Sequence, residues 1–382
     1  MNVLLIGGTG VLSRDISKEI LSKGMNLYML NRGNRPSEIP DQATLIKADI
    51  RNAQDVTEKI ADLNFDVVID FLSFTPEQIK TTLPLFEKKC KQFIFISSAT
   101  AYSVDVRESL ITEDSEMGNR LWDYANNKAV CENILKSYCD GRELQYTIVR
   151  PYVTYGDTRI PFAVISGAKK WSLVNRILQG KPIVMWDDGS AICTLTHTED
   201  FAVGIVGLFG NPKAINQAFH ITSGETFTWD EVLTFISKQV GKEAIRIYIP
   251  SEFIENEMKE YKGLLLGDKA TNMTFDNSKI KDAVPEFNCT ISFAEGIKRA
   301  VSYHQTHPEW MGIDHGWDAR IDQLILKYSK QNDLKNIKRS SLKYIPCEGD
   351  TFKDRLAYEV ARRKSLALLF KVLRRILRIL RK

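Results

Sequence analysis

The chain has 382 residues, 43% of them hydrophobic and 26% charged, enough apolar material for a large core, which excludes a disordered or low-complexity class. Its formal net charge of +4 conceals an asymmetry: Arg362 to Lys382 hold nine cations and no acid, so without them the charge is 4 − 9 = −5. Cys90, Cys131, Cys139, Cys193, Cys289 and Cys347 show no C-x-x-C or metal spacing and the five histidines form no ligand set, so a reducing cytosol is expected, with no disulfide framework and no metal.

Taken in chain order, Val3-Leu4-Leu5-Ile6 is the continuous apolar run that a strand buried on both faces requires. Its immediate start argues against a signal peptide, and no uncharged apolar stretch anywhere reaches about 18 residues, so no spanning helix is expected. Gly7-Gly8-Thr9-Gly10-Val11-Leu12-Ser13 follows, and residues 14–23 carry a helical pattern. A tight turn between strand and helix lets backbone N–H groups approach a phosphate, with the positive end of the helix dipole behind them. A dinucleotide pyrophosphate is the expected ligand, at Gly7, Gly10, Val11 and Leu12. The second strand ends in Asn31-Arg32-Gly33. A carboxylate there would grip the ribose 2′-hydroxyl of NAD, whereas an Arg suits the 2′-phosphate of NADP. Asn31 and Arg32 include no carboxylate and Arg35 adds a cation, so charge slightly favours NADP. The alternative is Asn31 bonding the ribose of NAD while Arg32 stacks on adenine.

Further along stands Tyr124-Ala125-Asn126-Asn127-Lys128, and Tyr124 alone among thirteen tyrosines has a lysine four residues later. On a helix these positions share a face, so the ammonium can favour the ionised phenol. That moves the phenol pKa from about 10 toward the working pH, as a general acid/base requires. An exposed helix with an ordinary Tyr and Lys is the bland alternative. Together with the glycine turn, the string points to redox chemistry on a hydroxyl or carbonyl carbon.

On these residues the chain resembles the extended short-chain dehydrogenase/reductases, in particular the NAD-dependent epimerase/dehydratase family, over about residues 1–305. The resemblance implies that Ser98, at the end of the strand Phe93–Ile96 and 26 residues before Tyr124, orients the reacting oxygen. It implies that Tyr124 is the acid/base, and that Lys128 holds the nicotinamide ribose while depressing the Tyr124 pKa. Val67-Val68-Ile69-Asp70 matches the fourth strand, Phe71-Leu72-Ser73 the loop covering the cofactor, and Asp49-Ile50 the adenine-binding step. Ser97 and Pro151, the latter in the Arg150–Gly156 run after the sixth strand, complete the implied cofactor contacts. Nucleotide-sugar members often carry an Asn and an Arg where this chain has Val153 and Cys193, so their usual diphosphate contacts are missing. Sugar dehydratases carry Thr-Asp-Glu where this chain has Ser98-Ala99-Thr100, which makes dehydration the least expected reaction.

The alternating pattern to about residue 160 predicts a Rossmann-type, doubly wound parallel α/β sheet over 1–160, with 194–222 packing back on it. A smaller α/β substrate lobe is expected over 161–305, with a helix over 163–180, a strand at Ile183–Met185, and helices over 200–209 and 228–240. Residues 306–350 form a C-terminal extension of unassigned role, with one helix over 317–330. His197 and His220 are expected in the core and His304 and His307 at a helix end. Residues 351–382 are expected as a basic amphipathic helix. On a helical wheel Lys371, Arg374, Arg375, Arg378, Arg381 and Lys382 fall within an arc of about 120°, opposite Leu366, Leu369, Phe370, Leu373, Ile376, Leu377 and Leu380. Such a helix suits an anionic membrane interface, and an oligomerisation helix is the alternative.

The function expected is an NAD(P)-dependent sugar epimerase or ketoreductase acting on a nucleotide-linked or lipid-linked sugar, in surface polysaccharide or glycolipid biosynthesis. It would be cytoplasmic and peripheral at the inner face of the cell membrane. Nucleic acid fits poorly with so aliphatic a basic tail. The resemblance offers a homodimer, and the sequence leaves oligomeric state open. The alternative function is a non-catalytic, regulatory or RNA-binding member of the same superfamily.

Overall fold

The computed structural model describes residues 1–107, 110–334 and 339–363. The tail expected to lie on a membrane falls outside them from Lys364 onward. Among the described residues no helix is long and apolar enough to cross a membrane, and no cluster of ligating side chains could hold a metal. The chain divides into two compact units.

The first unit comprises residues 1–161, 192–227 and 266–296. Its strands are β1 (Asn2–Ile6), β2 (Asn26–Asn31), β3 (Thr44–Lys47), β4 (Phe65–Asp70), β5 (Cys90–Ile96) and β6 (Gln145–Arg150), joined by Gln217–His220. The sheet order is 217–220, β6, β5, β4, β1, β2, β3, and the pairs are parallel. Val3, Leu4, Leu5 and Ile6 are fully buried, and alternation sends Val3 and Leu5 into the core on one face, Leu4 and Ile6 into the core on the other. Each such side chain contributes about 1.5–3 kcal/mol, which fixes β1 at the centre. The flanking helices are α1 (Val11–Ser22), α2 (Ala53–Lys59), α3 (Pro76–Phe86) and α4 (Asp123–Cys139). Strand order reverses at β1, and a ligand crevice is expected outside the carboxyl ends there. Thus the Rossmann-type sheet is present. Residues 266–296, placed by sequence in the lobe, fold with this unit.

The second unit comprises 162–191, 228–265 and the chain from Ile297. A parallel pair, Ile183–Trp186 with Arg246–Ile249, is accompanied by helices Trp171–Gln179, Trp229–Val240, His315–Gln331 and Phe352–Arg362. The helix expected over 163–180 starts only at Trp171. Ser166 Oγ accepts the N–H groups of Ala168 and Lys169 at 3.2 and 3.1 Å, a local turn that competes with helix. Its end is as expected, at Gly180 in the left-handed region with φ 68°.

The sequence offered no account of residues 306–350, and the structure supplies one. Asp318 and Asp322, one turn apart on the His315–Gln331 helix, are buried against Arg176 and Lys181. Arg176 Nη1 reaches Asp318 Oδ1 at 2.5 Å and Asp322 Oδ1 at 2.8 Å, while Lys181 Nζ reaches the two Oδ2 atoms at 2.5 and 2.8 Å. Tyr358, fully buried on the last described helix, donates to Asp322 Oδ2 at 2.5 Å. The extension is therefore part of this unit's core.

Candidate active site

The glycine turn has the form a pyrophosphate requires. Gly7 and Gly8 adopt φ +110° and +91°, and a Cβ at Gly8 would stand 2.5 Å from Met29 Cε. Gly10 caps α1, its N–H held by Ser13 Oγ at 2.8 Å, and Val11 and Leu12 open the helix. In front of the turn lies a cavity of about 750 Å³ whose lining includes Gly7, Asn31, Arg32, Asp49, Ile50, Leu72 and Ser73. Size, glycine cradle and helix N-terminus fit a nicotinamide dinucleotide. Asn31 spends its amide on the turn itself: Nδ2 donates to Gly7 O at 3.1 Å, and Oδ1 accepts from Gly33 N at 2.8 Å. Arg32, Arg35 and Arg51 are the cavity's cations, and Asp49 Oδ1 accepts from Arg51 N at 3.0 Å.

Three residues expected at the cofactor have their side chains engaged within the protein. Phe71 packs into the core beneath the sheet. Ser97 gives its hydroxyl to Glu132 Oε1 at 2.5 Å, in a buried network where Arg150 grips the same carboxylate at 2.9 and 2.6 Å. Pro151 is buried, its carbonyl accepting from Ala99 N at 2.9 Å. A charged Arg–Glu pair below Ser97 was illegible in sequence because its members are 18 residues apart and face inward.

Tyr124 stands in the first turn of α4, half-buried, its ring between Trp122 at 4.9 Å and Phe74 at 6.4 Å. Burial raises its pKa; the Ser98 hydroxyl and the charge of Arg159 pull it back, and Asp268 opposes them. Ser98 Oγ lies 2.9 Å from Thr100 Oγ1. Lys128, expected to depress the phenol, is one turn below with its ammonium turned away. Its Nζ donates to Ser73 O at 2.7 Å and Ile96 O at 2.8 Å, between the rings of Phe74 and Phe95. Burial lowers the Lys128 pKa to about 8, against the attraction of Asp70. In this geometry the cation acting on the phenol is Arg159.

Sequence reasoning missed a second set of side chains at this site. Leu265–Lys269 form a π-turn, a rare form frequent at functional sites. Arg107, almost wholly buried, ties it down by donating to Gly267 O at 2.9 Å and Thr271 Oγ1 at 2.8 Å, and to Thr100 O and Tyr102 O at 3.1 and 3.0 Å. Asn119 Nδ2 bridges Thr100 O at 2.9 Å and Gly267 O at 2.5 Å. The turn is thus locked to the segment carrying Ser98. Gly267 is seated so closely that a Cβ would lie 2.9 Å from Trp122 Cβ, the ring neighbour of Tyr124. The turn delivers Asp268 and Lys269, whose Nζ lies 2.5 Å from Asp268 Oδ2 and 4.3 Å above the Tyr152 ring. Asp268 Oδ1 lies 3.9 Å from Arg107 Nη1, and the Tyr152 hydroxyl is turned to the Asp268 carboxylate, so one buried acid serves two cations and a phenol.

His220 and His197 are core residues, as expected. His220 Nε2 donates to Asp276 O at 2.5 Å, so its Nδ1 accepts from Tyr102 Oη at 3.2 Å. His197 Nδ1 caps the following helix at Glu199 N, 3.3 Å away.

Comparison with known proteins gives the family. Residues 3–222 match the family described as NAD dependent epimerase/dehydratase. The chain is similar to the chloroplast stem-loop binding protein of 41 kDa b of Arabidopsis thaliana, 23% identical over 274 residues covering 68% of this chain and 69% of that protein. It is similar at 23% over 266 residues to 2′-dehydrokanamycin reductase of Streptomyces kanamyceticus, covering 68% and 72%. Its fold is that of UDP-glucuronic acid 4-epimerase from Bacillus cereus, solved with NAD, at TM-score 0.64 and 19% identity over 80% of this chain and 99% of that one. The protein belongs to the NAD-dependent epimerase/dehydratase family, an NAD(P)-binding enzyme of the epimerase and oxidoreductase kind.

Proposed function

We propose that the enzyme oxidises a secondary hydroxyl of a nucleotide-linked or lipid-linked sugar, as an epimerase that returns the hydride or as a ketoreductase that exchanges its cofactor. The observation that carries this is Tyr124 set against Ser98 on the same unit as the dinucleotide cavity. When bound, the nicotinamide dinucleotide supplies the hydride acceptor. Ser98 orients the reacting oxygen, and Tyr124 takes its proton, with Arg159 favouring the phenolate. Lys128, whose ammonium donates to the loop carbonyl of Ser73, would hold the ribose. The uncompensated cations Arg32 and Arg35 favour NADP over NAD.

The nine cations and aliphatic residues after Ala361 favour attachment to an anionic membrane. That location suits surface polysaccharide or glycolipid biosynthesis. Liposome pull-down of the full chain, lost on truncation after Ala361, is the expected result, and equal pull-down of both removes the attachment.

The test of the chemistry is Tyr124→Phe. Loss of about 10²–10⁴-fold in turnover with cofactor content unchanged is expected. An unchanged protein would instead favour a dinucleotide-binding module without catalysis, the reading for which the relative named for stem-loop binding speaks.

A further inference from the structure

We propose that Lys269, presented by the π-turn, recognises an anionic group of the sugar substrate beside Tyr124 and so determines specificity. The inference rests on the sugar-oxidising reading above.

The argument begins with a charge count. Arg107, Lys269 and Arg159 bring three cations to this corner, and Asp268 is the carboxylate that acts on Arg107 and Lys269. Arg159 has no carboxylate partner among the described residues, and its charge bears on Lys269 and Tyr124. Buried charge without a counter-charge is costly, and structural clusters avoid it. An excess of positive charge held beside an acid/base therefore awaits an anion.

The position is also rigid. Asp268 fixes the ammonium at 2.5 Å, the Tyr152 ring supports it, and Arg107 and Asn119 clamp the turn from below. A preorganised cation gives more discrimination than a mobile one because no ordering cost falls on binding. Finally, Cys193, where the resemblance leads one to expect Arg, is close enough for the Lys269 charge to act with its thiol. The cation missing from that strand is supplied by the π-turn.

The anion is a carboxylate on the ring or a phosphate in the linkage, and the two are separable. The full-length protein loaded with cofactor is titrated calorimetrically with UDP-glucuronate and with UDP-glucose, and turnover is followed for each. With Lys269→Met, a KM raised about 10- to 100-fold for both, with kcat nearly unchanged, assigns the phosphate. A rise confined to UDP-glucuronate assigns the ring carboxylate. Lys269→Arg should restore much of the affinity. The Asp268→Asn/Lys269→Met double variant keeps local neutrality if the single variant fails to fold, and melting midpoint and cofactor content report that. Affinities unchanged in a folded variant overturn the inference and leave the proposed function standing. A wild-type protein that neither binds nor oxidises either probe removes the nucleotide-sugar reading, and this inference with it.

Discussion

Both units bury a knot of charged side chains, and the two knots are opposites. In the second unit Arg176 and Lys181 face Asp318 and Asp322, two cations for two anions, and all four carboxylate oxygens are engaged. In the first unit Arg107 and Lys269 share Asp268, and Arg159 adds a third cation with no carboxylate partner among the described residues. Balanced charge marks a structural knot; a surplus cation marks one kept for a ligand.

The comparison can be broken first in the second unit. Asp322→Ala leaves two buried cations to Asp318 alone and strands the Tyr358 hydroxyl, and should cost about 3–5 kcal/mol in denaturant unfolding. A loss below about 1 kcal/mol would show the knot to be dispensable. Acid gives the next largest effect. Burial lowers the His220 pKa to about 4 in the folded state, below its ordinary 6.5, so the unfolded chain takes up the proton first. The first unit then loses stability as pH falls from about 6.5 to about 4, by up to about 3 kcal/mol, and no more through this group below that. Asp318, whose carboxyl is held below 3.8 by Arg176 and Lys181, keeps its contribution until lower pH. Calorimetry between pH 7 and 4 should show the first unit weakening through His220, with the second sharing part of the dependence through His304, which burial also lowers, and His220→Phe should flatten the first unit's share. Tyr358→Phe removes one bond to a charged carboxylate and should cost about 1.5–3 kcal/mol, felt in the second unit alone. Arg159→Gln sharpens the contrast from the other side: removing a partly buried cation with no carboxylate partner among the described residues should leave stability unchanged or slightly higher while raising the pH at which the phenol ionises. A stability loss of 2 kcal/mol would place Arg159 among structural charges.

What could be read in advance was local. β1, the glycine turn and the α4 register of Tyr124 and Lys128 are written in runs of a few residues, where periodicity and glycine sterics decide. What Lys128 does with its charge was not, because carbonyls from residues 73 and 96 outcompete a phenol one turn away. Asp268 and Lys269 follow Tyr124 by more than 140 residues and owe their place to Arg107 and Asn119, so no spacing rule reaches them. The extension from 306 was opaque for a related reason: its core-facing side chains are Asp318, Asp322 and Tyr358, and buried acids look in sequence like a solvated helix face.

The anchoring of Tyr358 also bears on how the chain is made. Arg176 and Lys181, which Tyr358 meets through Asp322, leave the ribosome about 180 residues earlier, which at roughly 5–20 residues per second is on the order of 10–40 s. For about the first 140 of those residues the second unit has its cations and neither aspartate, and Tyr358 follows Asp322 by about 36 more, so the tyrosine is the last member of the knot to be made.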